Sequence, residues 1–303
     1  MYRSLLFLPG NNPNMLINGD ILGADAVIFD LEDAVSPREK DAARILVRNV
    51  LQSLRYGHVG TIVRINAVDD TDDWRRDLEE VVPCRPSAVM LVKVPDAAYV
   101  RTVSQTLGEL EARFGVEAGA IHMIPLIEKT EGLENAFSIA SADSRVEGLV
   151  LGAEDLTADM RCARTKEGKE IFYARSRMVS AGRAAGVEVY DTPFTDVYDD
   201  ESFLKDAALA KSLGFSGKAA ISPQHVRAIN RLFSPTDKEI AYALEVLEAI
   251  EEGKRLGKGA VSLRGKMIDA PIVDRAKQVL ETDRRIKEKE RINEKDRNGG
   301  KRA

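Results

Sequence analysis

The chain has 303 residues, 44% of them hydrophobic and 31% charged, and a net charge of −5 at pH 7. That is ample apolar material for one large α/β domain with extensions, and the acidic balance excludes a general nucleic-acid surface, which needs a concentrated basic face. No apolar run approaches the roughly 20 residues that span a bilayer. The opening MYRSLLFLPG is short and broken by Pro9-Gly10, so it reads as a buried strand rather than a signal peptide. Cys84 and Cys162 lie far apart without metal spacing and are expected as free thiols of a reducing compartment, so the expected location is the cytoplasm.

Short apolar strands and longer helical stretches alternate along the chain. Leu5–Leu8 is followed by a helix near Met15–Leu22, and Ala26–Asp30 by a helix near Arg38–Leu54. Thr61–Ile65 and Ala88–Val92 come next, then a helix over Ala97–Phe114. His122–Ile127 precedes a helix over Glu131–Ala140, and Gly148–Leu151 is followed by a helix over Phe172–Ala185. Val187–Tyr190, a helix over Glu201–Leu213 and Lys218–Ile221 complete the series. Near-continuous apolar strands suit a parallel sheet covered on both faces, and eight of them favour a closed (β/α)8 TIM barrel over an open sheet. The first strand lacks a G-x-G-x-x-G, which argues against a dinucleotide fold. The expected organisation is a barrel over 1–232 and a C-terminal helical extension over 233–280, built on helices at Thr236–Leu256 and Ile272–Leu280. A charged tail over 281–303 has too little apolar surface to offset ordering and is expected as frayed helix or disorder.

Active sites of such barrels form at the C-terminal ends of the strands. Asp30-Leu31-Glu32-Asp33 follows the second strand, Arg64-Ile65-Asn66 ends the third and Lys93-Val94-Pro95 follows the fourth. Glu128-Lys129-Thr130-Glu131 follows the fifth, Gly152-Ala153-Glu154-Asp155 the sixth and Asp191-Thr192-Pro193 the seventh. Acids crowded at one mouth repel unless a cation is present. A hard divalent ion that takes one or two carboxylates and keeps several waters would suit Glu128 and Asp155 as ligands, with Glu32 and Asp33 as a second shell that accepts hydrogen bonds from its waters. The bland alternative is that these acids cap helices or face their dipoles; it is strongest for Asp33, Glu131 and Glu154. His58, His122 and His225 do not cluster and read as structural or surface residues. Lys93 is where a Schiff-base lysine would sit, but Pro95 and the acids point to a metal.

With those residues in view, the chain resembles the HpcH/HpaI aldolase/citrate lyase family, which joins citrate lyase β chains with malyl-CoA and citramalyl-CoA lyases. The likeness runs from Arg3 to about Leu280. It rests on Arg3-Ser4-Leu5-Leu6-Phe7-Leu8-Pro9-Gly10-Asn11-Asn12-Pro13, Phe29-Asp30-Leu31-Glu32-Asp33-Ala34-Val35, Val63-Arg64-Ile65-Asn66, Ile127-Glu128-Lys129-Thr130-Glu131-Gly132, Leu151-Gly152-Ala153-Glu154-Asp155-Leu156, Leu213-Gly214-Phe215-Ser216-Gly217-Lys218 and Gly265-Lys266-Met267-Ile268-Asp269. Ile221-Ser222-Pro223 stands where many CoA-using relatives have Ile-His-Pro, which leans toward the citrate lyase branch. Lys129 beside Glu128 either tunes the site or faces solvent.

The resemblance implies Mg²⁺ on Glu128 and Asp155, with Mn²⁺ as an alternative. It implies that Arg64 polarises a thioester carbonyl, and that Asp269 acts in acid–base catalysis from a segment that closes over a neighbouring subunit's site, in a homotrimer or hexamer. The implied reaction cleaves a citryl thioester, carried on an acyl carrier protein or CoA, to oxaloacetate and an acetyl thioester, with citrate lyase α and γ chains as partners. Backbone N–H groups around Ala153, Glu154 and Asp155, if they open a helix, would add substrate binding. A stand-alone malyl-CoA or citramalyl-CoA-type lyase and a non-catalytic scaffold subunit remain as alternatives.

Overall fold

A computed structural model describes every residue except 55, 58, 70, 257–260 and 300–303, so His58 lies outside the described residues. The chain forms two compact units, residues 1–231 and 232 onward. In the first, eight parallel strands close into a barrel: β1 (Ser4–Pro9), β2 (Ala26–Asp30), β3 (Gly60–Arg64), β4 (Ala88–Leu91), β5 (His122–Ile127), β6 (Gly148–Leu151), β7 (Glu188–Asp191) and β8 (Gly217–Ala220). Closure comes from β8 pairing with β1, with Lys218 opposite Ser4. The expected TIM barrel is present.

Strand parity explains what each side of the barrel holds. Leu5, Ala26, Ile28, Ile62, Ala88, Met90, Val92, Ile124, Leu126, Val150 and Tyr190 form one buried cluster, and within each strand they are two residues apart, as a pleat requires of side chains on one face. These residues fill the barrel interior. Continuing the same parity to the strand ends brings Asp30, Arg64, Glu128, Gly152 and Thr192 to the interior at the C-terminal mouth. Asp191 has the opposite parity and points into the layer between strands and helices. There it meets Arg175 of the helix Phe172–Ala185, Asp206 of the helix Asp200–Leu213, and Lys218.

Some helices differ from expectation. The stretch Glu131–Ala140 is two short helices, Thr130–Glu134 and Ala136–Ala140, with Asn135 between them. Asp73–Val81 is an additional helix. Its apolar residues Trp74, Leu78 and Val81 follow helical spacing, but charges dominate the segment and hide the pattern. Asp77 on the same face is fully buried because Arg44 and Asn66 satisfy it.

The second unit holds the helix Asp237–Arg255, opened by a Thr236/Glu239 capping box. A hairpin of β9 (Val261–Leu263) and β10 (Lys266–Ile268) follows, then the helix Ala270–Gly299. The hairpin turns on Arg264 and Gly265, both left-handed, as a two-residue turn requires. Val246, Ile268 and Ala276 anchor a small core. The charged segment after Glu281 continues as helix to Gly299. Arg284 and Arg285 both hold Glu281, and Lys287 holds Asp283, at helical spacing. Among the described residues no helix is long and apolar enough to cross a membrane.

Candidate active site

A cavity of about 490 Å³ opens at the C-terminal mouth of the barrel, lined among others by Phe7, Asp30, Asp33, Arg64, Glu128, Gly152, Ala153, Glu154, Asp155, Thr192 and Ile221. The interior parity of the strands delivers the middle of that set, and the loops supply the rest. Of the residues expected from the sequence, Arg64, Glu128, Asp155, Ala153, Glu154 and Asp33 meet here. Glu32 sits behind them, buried, and Asp269 belongs to the C-terminal unit.

Glu128 is 3% exposed. Its Oε1 accepts the Lys93 backbone N–H at 2.7 Å. Burial, reinforced by the nearby charges of Asp155 and Glu32, pushes its carboxyl up to about 8. The Lys93 hydrogen bond and the Arg64 charge oppose that rise without cancelling it. Among the described residues no group of three or more His, Cys, Asp or Glu could hold a metal unaided. Glu128 and Asp155, two carboxylates lining one cavity, fit Mg²⁺, which needs only one or two carboxylates beside water and substrate oxygens. Gly152 makes room for this ligand: a Cβ there would lie 2.7 Å from Glu128 Cβ and 3.0 Å from Oε2. The helix Ala153–Asp159 begins directly after it and carries Asp155. The Ala153 N–H is already donated to Thr192 Oγ1 at 3.2 Å, so the expected anion-binding role of that backbone group is taken up within the protein. Glu154, which also lines the cavity, is exposed and lies 3.6 Å from Arg164.

Arg64 ends β3, two strands from the β5 end that carries Glu128, with β4 between them. Asp30 is its register partner on β2 and accepts from both Nε (2.7 Å) and Nη2 (2.5 Å). Glu32 Oε2 lies 3.3 Å from Nη1, and the guanidinium stands over the Phe7 ring at 5.2 Å. Burial opposes the charge, but the Asp30 hydrogen bonds and the surrounding carboxylates hold Arg64 protonated more firmly than usual. Asp30 went unassigned in the sequence because its role depends on the β2–β3 register. Its parity with Ile28 and Ala26 is the signal that would have found it.

The lysines separate cleanly. The Lys93 ammonium donates to Glu32 Oε1 at 2.7 Å, and that bond raises its pKa. A Schiff-base lysine must reach the neutral amine, so this environment runs against that role. Lys129 pairs with Asp159 at 3.7 Å and is not among the cavity-lining residues. The acid Asp191, read from the sequence as part of the mouth, is fully buried outside the barrel wall with Arg175 and Lys218. His225 is also buried, stacked on Phe203 at 3.9 Å, and burial lowers its pKa. Both cysteines are free. Asp269 is exposed, and its side chain caps the helix that follows by accepting from the Ile272 N–H at 3.2 Å.

Residues 3–223 match the family model for HpcH/HpaI aldolase/citrate lyase. The chain belongs to that family. It is 42% identical to citrate lyase subunit beta of Leuconostoc mesenteroides over 278 residues, covering 92% of each chain. It is 43% identical to citrate lyase subunit beta of Haemophilus influenzae over 279 residues, covering 92% of this chain and 96% of that one. Among solved structures it is similar to Mycobacterium tuberculosis CitE in complex with magnesium, acetoacetate and coenzyme A, with 31% identity, a TM-score of 0.74, and coverage of 93% of this chain and 97% of that one. Family and relatives together make this chain a carbon–carbon lyase.

Proposed function

We propose that the chain is a Mg²⁺-dependent lyase that cleaves a citryl thioester to oxaloacetate and an acetyl thioester. The observation that carries the reading is one cavity lined by Arg64, Glu128 and Asp155, in a chain 42% identical to a citrate lyase subunit beta. Glu128 and Asp155 would hold the metal, which when bound supplies Lewis acidity toward the oxygens of the oxaloacetate portion; Mn²⁺ would serve in its place. The relative that binds magnesium, acetoacetate and coenzyme A supports a metal and a thioester carrier.

Cleavage leaves negative charge on the thioester oxygen as an enolate forms. A preorganised donor aimed at that oxygen lowers the barrier by several kcal/mol. Arg64 suits the task because Asp30 fixes its plane in advance, so no reorientation is needed as charge develops, and because its protonation is secure. Asp269 would move the proton at the acetyl carbon, acting from a neighbouring subunit of a homotrimer or hexamer. The carrier would be the acyl carrier protein of an assembly with α and γ chains.

The test uses purified protein, citryl thioesters on CoA and on acyl carrier protein, and EDTA. Activity that depends on Mg²⁺ and is lost in Glu128→Ala and Asp155→Ala is the expected result; full turnover in EDTA refutes the metal. Efficient cleavage of malyl- or citramalyl-CoA with none of citryl thioester would replace the substrate. Mixing inactive Asp269→Asn with inactive Glu128→Ala chains should restore activity if Asp269 acts across subunits.

A further inference from the structure

Two halves of the cavity, Glu128 just after β5 and Arg64 at the end of β3, are joined through one residue that does not line the cavity. Lys93 follows β4, between those strands in the barrel order. Its backbone N–H is on Glu128 Oε1 at 2.7 Å. Its ammonium is on Glu32 Oε1 at 2.7 Å, and the other oxygen of Glu32 lies 3.3 Å from Arg64 Nη1.

The backbone at Lys93 is left-handed, with φ 53°. Other described non-glycine residues with positive φ include Asp72 and Arg85, which sit at helix ends, and Arg264 in the hairpin turn. Those are places where chain reversal or a cap calls for it. Lys93 instead leaves a barrel strand, and such strain persists only where surrounding structure enforces it. Here it does. The Tyr99 hydroxyl donates to the Val92 carbonyl at 2.8 Å, and Asn135 Nδ2 to the Pro95 carbonyl at 2.9 Å. Gly132 lies so close that a Cβ there would be 2.3 Å from the Val94 carbonyl oxygen. The loop is clamped on both sides of Lys93, and the clamp aims its N–H at Glu128.

We propose that Lys93 is a positioning residue that acts on both halves of the cavity by separable means. Its left-handed backbone fixes the Glu128 carboxylate for metal binding, and its ammonium neutralises Glu32 so that Arg64 stays available to an anionic substrate. The inference rests on the metal-dependent lyase reading above.

The two roles come apart by substitution. Lys93→Gly removes the ammonium but adopts the left-handed backbone freely. Lys93→Val removes the ammonium and resists that backbone, since β-branched residues rarely take positive φ; Lys93→Ala carries the milder form of the same constraint and replaces the valine variant should that one not fold. Lys93→Arg keeps the cation. Mn²⁺ binding to the metal-free chain, followed by electron paramagnetic resonance, reads the backbone role. The dissociation constant should stay within about twofold of wild type in Lys93→Gly and rise about tenfold or more in Lys93→Val, the range seen when a partner of a metal ligand is lost. kcat/KM on the citryl thioester reads the ammonium: it should fall about tenfold in Lys93→Gly, mostly through KM, and recover to within about threefold of wild type in Lys93→Arg. Wild-type Mn²⁺ affinity in a folded Lys93→Val or Lys93→Ala chain, or wild-type kcat/KM in Lys93→Gly, overturns the proposal. No Mn²⁺ binding by the wild-type chain overturns the metal reading and this inference with it.

Discussion

Replacing Gly152 by alanine isolates how tightly the cavity is built around Glu128. Gly152 has φ −101° and ψ 85°, so alanine meets no left-handed strain, and the perturbation is the methyl group alone. That methyl would lie 2.7 Å from Glu128 Cβ, 3.0 Å from Oε2 and 3.3 Å from Leu126 Cδ1. Carbon–carbon contacts settle at about 3.5–4.0 Å, so about 0.8 Å must be opened. Neither backbone can easily retreat: Gly152 donates its N–H to the Ile127 carbonyl at 2.9 Å, and Leu126 and Ile127 are in register with Val150 and Leu151. The displacement therefore falls on the Glu128 side chain. Metal ligands tolerate about 0.2 Å, and overpacking costs about 1–3 kcal/mol, which corresponds to roughly 5- to 150-fold in affinity if expressed at the metal. Global stability should change less, because Gly→Ala at a compatible backbone returns about 0.4–1 kcal/mol. The assay is Mn²⁺ titration by electron paramagnetic resonance beside a thermal melt. A folded Gly152→Ala chain that binds Mn²⁺ as tightly as wild type would refute the steric argument.

Two further outcomes follow from the buried charges. Without metal, the Glu128 carboxyl is raised to about 8 from about 4.3 in the unfolded chain. The folded state therefore holds the extra proton, and this contribution to metal-free stability should fall as pH rises from about 4.3 to about 8 and level off above that; melts across this range should show a steeper slope in wild type than in Glu128→Gln, which keeps the raised carboxyls of Glu32, Asp77 and Glu147, and a Glu128→Gln slope equal to wild type would discount it. Lys218→Met leaves Arg175 alone to answer both Asp191 and Asp206 in a layer closed to water, which should cost about 3–5 kcal/mol in urea unfolding. Adding Asp206→Leu restores a neutral Arg175–Asp191 pair and should recover most of the loss; a wild-type urea midpoint for the single variant would contradict the pairing.

Much of the site was legible because it sits at strand ends, where an apolar run stops and a charged residue begins. Glu128 and Arg64 were visible in this way, and so was the acid Asp155 just after β6. Which strand-end residue faces inward is a matter of parity, and there the linear pattern misled. Asp191 and Thr192 are neighbours in sequence, yet the pleat sends Asp191 out to Lys218 and brings Thr192 to the cavity. Asp30 was read as one more mouth acid, whereas register makes it the clamp on Arg64. Gly152 carried no readable signal of its own, acting by lacking a side chain beside Glu128, and Lys93 stood out only as a Schiff-base position, whereas its contact with Glu128 is made by a backbone N–H. After Glu281, where composition reads as frayed helix or disorder, the chain is helical, with ion pairs at helical spacing joining Glu281 to Arg284 and Arg285 and Asp283 to Lys287.

Charge balance at the mouth bears on the order in which ligands can enter. Asp30, Glu32, Asp33, Glu128 and Asp155 gather around the cavity, and the cations reaching them are Arg64 and Lys93, with the Lys40 ammonium spent on the carbonyls of Leu31 and Glu32. Asp30 takes the Nε and Nη2 donors of Arg64 and fixes its plane. Without metal, Glu128 is raised to about 8 and is largely neutral at pH 7, and Arg64, Lys93 and Lys40 offset much of the remaining acidity, so a di- or tricarboxylate gains little attraction from this surface. On the proposed reading Glu128 and Asp155 would hold a dication that supplies the missing positive charge, while Asp30 keeps Arg64 oriented. The acid would then be drawn to the metal first and its thioester carbonyl delivered to Arg64 second. On that reading the carboxylate of Asp30 beside Arg64 would serve orientation: the guanidinium proposed to stabilise developing negative charge would be held in place before the charge appears.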